Sequence, residues 1–302
     1  MTVIPATKAK TFTAGWRTTA GTLATLFKLR IVALLLLAAT TGAFIGSGGW
    51  PGAGNLLHLW LSGGMAAAGA SALNQYLERE SDSLMGRTRR RPLASGAITH
   101  TRRVLWLAAG LILLPALAIL PFKPALTFFL LLGAIIYVGI YTLWLKPRTL
   151  LNIVVGGAAG SAAVLSGGAA AGTWQAPQVL VLALLLFLWT PSHFWSLAIL
   201  YRDEYRKAGM PMLPAQTGRG HAAWWVLLHS VATGVAALAL AVVPALGLIY
   251  FVPTLLATGY LLRRNIVLLR RPDPVNARAM FVASNLYLMI VLLTLLVASL
   301  LR

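Results

Sequence analysis

The sequence predicts an all-α, polytopic membrane protein of nine transmembrane helices, and three observations carry that expectation. Of the 302 residues 59% are hydrophobic and 10% are charged. Mean hydropathy is +0.80. The apolar residues gather into runs of about twenty, the length of an α-helix that crosses a hydrocarbon core. Cysteine is absent, which excludes disulfides and thiolate metal sites. A net charge of +19 would suit a nucleic-acid binder. Here, however, the basic residues sit between apolar runs, so a lipid bilayer and no nucleic acid is the expected partner.

Residues 1–22 read as a cytoplasmic tail, with Lys8, Lys10 and Arg17 but no apolar core or cleavage site of a leader. Residues 23–302 read as one transmembrane domain. Spans are expected at about 25–48, 54–77, 102–121, 124–145, 151–172, 177–200, 222–243, 246–265 and 277–301. Pro121 and Pro124 separate the third from the fourth, because proline cannot continue a helix. Pro244 and Gly247 mark the break between the seventh and eighth. Twenty-three of the 25 Lys and Arg residues then fall on one side, leaving Lys123 and Arg302 on the other. The positive-inside rule puts the N-terminus in the cytoplasm and the C-terminus outside, in the cell (inner) membrane.

Orientation does not account for the acids. Five of the six lie in two places, Glu78, Glu80 and Asp82 after the second span, and Asp203 and Glu204 after the sixth. Asp273, in RRPDPVN, reads as a turn or helix-capping residue. On a helix, Asn74, Glu78 and Asp82 fall at i, i+4 and i+8 and share one face, whereas Glu80 points elsewhere. Arginines follow at Arg87, Arg89, Arg90 and Arg91. Such a group is either a solvated loop or a site for a divalent cation and a polyanion. The recurrence of acids four spans later, each time before a proline-containing run, hints at two four-helix halves plus a ninth helix.

At these residues the chain resembles the UbiA-type intramembrane prenyltransferases, and within them the protohaem IX farnesyltransferases (haem O synthases). NQYLERESDSLMGRTRRRPL (74–93) resembles the first acidic motif of the superfamily in its haem O synthase form. YTLWLKPRT (141–149) with NIVVGGAAG (152–160), HFWSLAILYRDEYRKAGMPMLP (193–214) and AMFVASNLYL (279–288) are similar to later family segments. Glu78 and Glu80 stand where the family usually has Asp, and Lys28-Leu29-Arg30 stands for its Lys-Pro-Arg.

The resemblance implies a UbiA-type bundle and an Mg²⁺-dependent transfer of farnesyl from farnesyl diphosphate to a vinyl group of haem B, giving haem O. A quinone-precursor aromatic acid or a chlorin is the alternative acceptor. Haem B would be substrate, and an enzyme of haem A biosynthesis would be a partner. Because the barrier is charge separation at the departing diphosphate, the protein must supply fixed positive charge. The expected catalytic set is Asn74, Glu78, Asp82 and Asp203, with Mg²⁺ on Glu78, Asp82 and Asp203. Arg87, Arg91, Lys146, Arg148 and Arg206 are expected on the diphosphate, and His193 and Trp195 on the acceptor. His193 beside Pro191 reads equally as a hydrogen-bonded core residue. Gly156, Gly157, Gly160 and Gly167 read as helix-packing positions or as the lining of the prenyl channel.

Overall fold

Helix is the regular secondary structure of residues 16–301, which are the residues that the computed structural model describes. The first fifteen residues of the expected tail, and Arg302, lie outside them. Helix α1 (Trp16–Leu26) already begins within that tail. Lys28, with φ 49° and ψ 48°, then turns the chain into α2 (Leu29–Ser47). The next helices are α3 (Ala53–Ser83), α4 (Thr101–Ile119), α5 (Pro124–Leu145), α6 (Asn152–Ala170) and α7 (Pro177–Leu200). Two short helices follow, α8 (Arg202–Lys207) and α9 (Leu213–Thr217). The chain ends with α10 (Arg219–Leu240), α11 (Gly247–Arg270) and α12 (Pro274–Leu300). Proline at the first turn opens α5, α7 and α12, where its missing N–H costs nothing.

Eight of these helices are long and apolar enough to cross a membrane: α2 to α7, α10 and α12. The count of nine expected from sequence is therefore not met on composition. The exception is α11, which has the length, at 24 residues. Every eighteen-residue stretch of it contains both Arg263 and Arg264, and that lowers its hydropathy.

Small residues decide how the bundle closes. A Cβ on Gly167 would collide with the Ala39 carbonyl, and one on Gly42 would lie 2.5 Å from the Val164 carbonyl. Glycine at both positions lets α2 and α6 run in backbone contact. Helix α2 also meets α12, and α7 packs on α6, α10 and α12, so the first and last spans close the assembly. The largest apolar cluster is built mainly from α7, α10, α11 and α12, and a second joins α2 to α6. Polar residues of one end of the bundle collect where α3 and α5 finish.

Candidate active site

Helix α3 does not stop where its hydropathy does. It runs through Asn74–Ser83, so Asn74, Glu78 and Asp82 stay on one face, and all three are buried. Glu80 faces outward, 87% exposed, and pairs with Arg79. Beyond Ser83 the chain folds back over the helix end. The Thr88 hydroxyl donates to the Asp82 carbonyl at 2.9 Å, and Met85 is buried beneath. That return brings Arg91 Nη1 to 2.6 Å from Asp82 Oδ2 and 3.7 Å from Glu78 Oε2.

Helix α5 supplies the facing wall through its last eleven residues, Ile135–Leu145, which wind in wide i→i+5 turns. The Lys146 amide donates to the Tyr141 carbonyl at 2.8 Å and the Thr142 hydroxyl to the Tyr137 carbonyl at 2.8 Å, both five residues back. A wide turn of this kind often marks a functional segment. It brings Tyr137, Tyr141, Thr142 and Lys146 to bear on α3. Lys146 Nζ donates to Glu78 Oε1 at 2.5 Å. The Asn74 amide donates to Thr142 Oγ1 at 2.9 Å. The rings of Tyr137 and Tyr141 are stacked with centroids 6.0 Å apart. Gly156 of α6 makes room for them, since a Cβ there would come within 2.7 Å of the Tyr141 ring.

Lys28 completes the group, although the sequence ranked it among ordinary orienting residues. Its Nζ donates to Asn74 Oδ1 at 2.6 Å and to the Tyr137 hydroxyl at 2.9 Å. Burial, with help from the Arg91 charge, pushes its ammonium down to about 7. Three basic side chains (Lys28, Arg91 and Lys146) thus surround two carboxylates, Glu78 and Asp82. The family form Lys-Pro-Arg, here Lys28-Leu29-Arg30, was the one signal in the sequence that could have singled Lys28 out.

The other expected residues are arranged differently. Asp203 is 56% exposed and is held by Arg219, Arg202 and Arg206 at 3.5, 3.8 and 3.9 Å. Among the described residues no three of His, Cys, Asp and Glu form a metal-binding group, so Asp203 does not join Glu78 and Asp82. Its neighbour Glu204 faces the first motif instead, accepting from the Arg87 amide at 3.4 Å. Arg87 reaches the Tyr205 hydroxyl at 3.3 Å and lies over the Tyr201 ring. Arg206 is exposed. Arg148 turns back to donate to the carbonyls of Leu143 and Trp144, at 3.0 and 2.9 Å, and so caps the end of α5.

His193 and Trp195 do not share a cavity wall, because residues two apart on a helix point to opposite sides. The His193 ring is stacked between Trp189 and Phe281, at 4.3 and 4.5 Å, and its Nδ1 is 2.8 Å from Ser284 Oγ. Trp195 is buried toward α10, edge-on to His229 at 5.3 Å. Of the expected glycines, Gly156 and Gly167 have a packing role that the distances define.

At the bundle end a buried carboxylate pair is thus bridged by Lys and Arg beside stacked tyrosines. Residues 35–296 match the UbiA prenyltransferase family. The chain belongs to that family. Two relatives from Paramagnetospirillum magneticum are named protoheme IX farnesyltransferase 2 and protoheme IX farnesyltransferase 1. The first is 39% identical over 92% of this chain and 97% of its own length, the second 42% over 88% and 93%. The fold is also that of UbiA structures. A digeranylgeranylglyceryl phosphate synthase superimposes with a TM-score of 0.78 at 17% identity, over 94% of this chain and 99% of that one. A UbiA homologue from Archaeoglobus fulgidus, solved with GPP and Mg²⁺, gives 0.59 at 14% identity, over 91% of this chain and 99% of that one.

Proposed function

We propose that this UbiA-family chain transfers a farnesyl group from farnesyl diphosphate to a vinyl group of haem B, forming haem O. The observation that carries the reading is the Glu78–Asp82 pair, buried on one face of α3 and bridged by Lys146 and Arg91. The acceptor rests on the two relatives named protoheme IX farnesyltransferase.

The allylic C–O bond breaks and the diphosphate departs with the electron pair. The vinyl carbon closes onto the allylic carbon, and water adds to the cation left on the porphyrin side and gives up a proton to solvent, leaving a hydroxyl group. Arg91 and Lys146, held beside the site by Asp82 and Glu78, are the charges that would meet the diphosphate as its own charge develops, and Lys28, its ammonium pushed down to about 7, would add an N–H donor. Tyr137 and Tyr141 wall the site and exclude water from the allylic cation. Two carboxylates and the neutral Asn74 suit Mg²⁺, which takes one or two carboxylates and leaves its other positions to water and phosphate. Bound there, Mg²⁺ would neutralise part of the diphosphate charge. Asn74, Glu78 and Asp82 are the residues we assign to it. Arg87 is assigned to the outer side of the diphosphate, and His193, between Trp189 and Phe281, to the face of the porphyrin.

The basic residues support an N-terminus on the cytoplasmic side of the cell (inner) membrane and a C-terminus outside, with α11 as a span. An enzyme that carries haem O on to haem A would be the natural recipient of the product. A reporter fused at Gly96 or Gly218 should read cytoplasmic and one after Arg302 external; a cytoplasmic C-terminus would remove α11 as a span.

Membranes containing the protein, given haem B, farnesyl diphosphate and Mg²⁺, should yield a product heavier by a farnesyl group and a hydroxyl group. Prenylation of an aromatic acid with haem B unchanged would overturn the acceptor assignment and leave prenyl transfer standing.

A further inference from the structure

All six acidic side chains of the chain are engaged within it. Glu78 and Asp82 hold Lys146 and Arg91, and Glu80 holds Arg79. Asp203 holds three arginines, Glu204 accepts from the Arg87 amide, and Asp273 caps α12 through the Asn276 amide. None is left for Arg263, Arg264 and Arg278, which have no ion pair among the described residues. The Nε of Arg264 is buried without a hydrogen-bond partner.

Arg263 and Arg264 stand at one end of a groove. Helices α11 and α12 are packed together and joined by a short turn, so Arg263 and Arg264 lie near the level of Arg278. Between the two helices runs an apolar groove of about 470 Å³, lined by Pro253, Leu256 and Tyr260 of α11 and by Leu286, Tyr287 and Ile290 of α12. Its residues on α11 recur at i, i+3 and i+7, a stripe that continues one turn past Tyr260 into Arg263 and Arg264. On α12, Arg278 lies eight residues before Leu286 and half a turn round from Tyr287, on the side away from the groove. An apolar trough that ends in two uncompensated guanidinium groups has the chemistry of a long-chain amphiphile with an anionic head.

We propose that this groove binds an anionic phospholipid, its acyl chain along Leu256, Tyr260 and Leu286 and its phosphate at Arg263 and Arg264. Basic clusters between helices near the bilayer surface recognise anionic headgroups, each Lys or Arg contributing appreciably. The site is separate from the Glu78–Asp82 pair and stands whatever the acceptor of the reaction. It also gives a reason for arginines in α11 that cost it hydropathy as a span.

The test is a titration of the full-length, detergent-solubilised protein with phosphatidylglycerol, read by native mass spectrometry, with phosphatidylcholine as the neutral probe. The parent should retain one phosphatidylglycerol in preference to phosphatidylcholine. Arg263→Gln, at an exposed position, should weaken retention about fivefold, and Arg263→Gln/Arg264→Gln about thirtyfold, whereas Arg278→Gln should leave it unchanged. Equal retention of the two lipids would overturn the proposal, as would unchanged affinity in Arg263→Gln, a variant that keeps the test decisive should the double variant not fold. Displacement of the lipid by farnesyl diphosphate would also overturn it, by making the groove a substrate site.

Discussion

Asp82 and Asp203 each follow a membrane-spanning apolar run and each meet arginine, yet the Asp82 side chain is 4% exposed and that of Asp203 is 56%. The difference begins in the backbone. Helix α3 carries straight on past its apolar part, and the returning chain covers Asp82 with Thr88, Met85 and Arg91. Helix α7 instead breaks at Tyr201, and α8 restarts in a new direction with Asp203 in its first turn. One carboxylate is therefore bonded at 2.6 Å out of water, and the other makes three contacts of 3.5 to 3.9 Å in it. Exposed pairs of that length are weak and screened by salt, whereas stranding one partner of a buried pair is costly. Similar residues thus give a rigid charge cluster in one region and an adjustable one in the other.

Substitutions can break or sharpen this contrast, beginning with the largest effect. Asp82→Asn should lower the single-turnover rate of prenyl transfer about a thousandfold, because a preorganised electrostatic group is lost. Lys146→Gln should cost about a hundredfold and also lower the unfolding temperature, since Glu78 loses its closest cation. Asp203→Asn should cost about fivefold, the upper range for exposed ion pairs. If its rate falls as far as that of Asp82→Asn, the α8 segment closes onto α3 during the reaction and the two regions are one site. Glu80→Ala should stay within about twofold in the same assay; a larger loss would mean that the outward face of α3 also contacts substrate.

Much of the bundle was legible. The expected spans 124–145 and 177–200 coincide with α5 (Pro124–Leu145) and α7 (Pro177–Leu200), because proline at the first turn marks a boundary that hydropathy alone leaves vague. The end of the second span was set too early, at 77, since hydropathy fades at Asn74 while the helix continues to Ser83. Helix α11 similarly runs past 265 to Arg270, as arginine is a good helix former whatever its hydropathy. Arg148, expected on the diphosphate, lies instead on the carbonyls of Leu143 and Trp144, and the reason is local. A guanidinium just past a helix end has open carbonyls within reach, and a charge count does not register that competition.

What the sequence determined by itself was whatever depends on spacing along one regular helix. Asn74, Glu78 and Asp82 share a face because four residues are close to one α-turn, and Glu80 is excluded by the same geometry. What only the tertiary structure decided was which other groups reach that face. Tyr137 and Lys146 are nine residues apart, two and a half α-turns, which would set them on opposite sides of a regular helix. The i→i+5 winding of Ile135–Leu145 makes the same nine residues about two turns and aligns them toward α3. Lys28 comes from forty-six residues before Asn74, on a left-handed turn whose direction no periodicity encodes. Whether a carboxylate after a span is buried or exposed likewise depends on whether the chain folds back over it. That is fixed by packing between segments distant in sequence, as at Asp82 and Asp203.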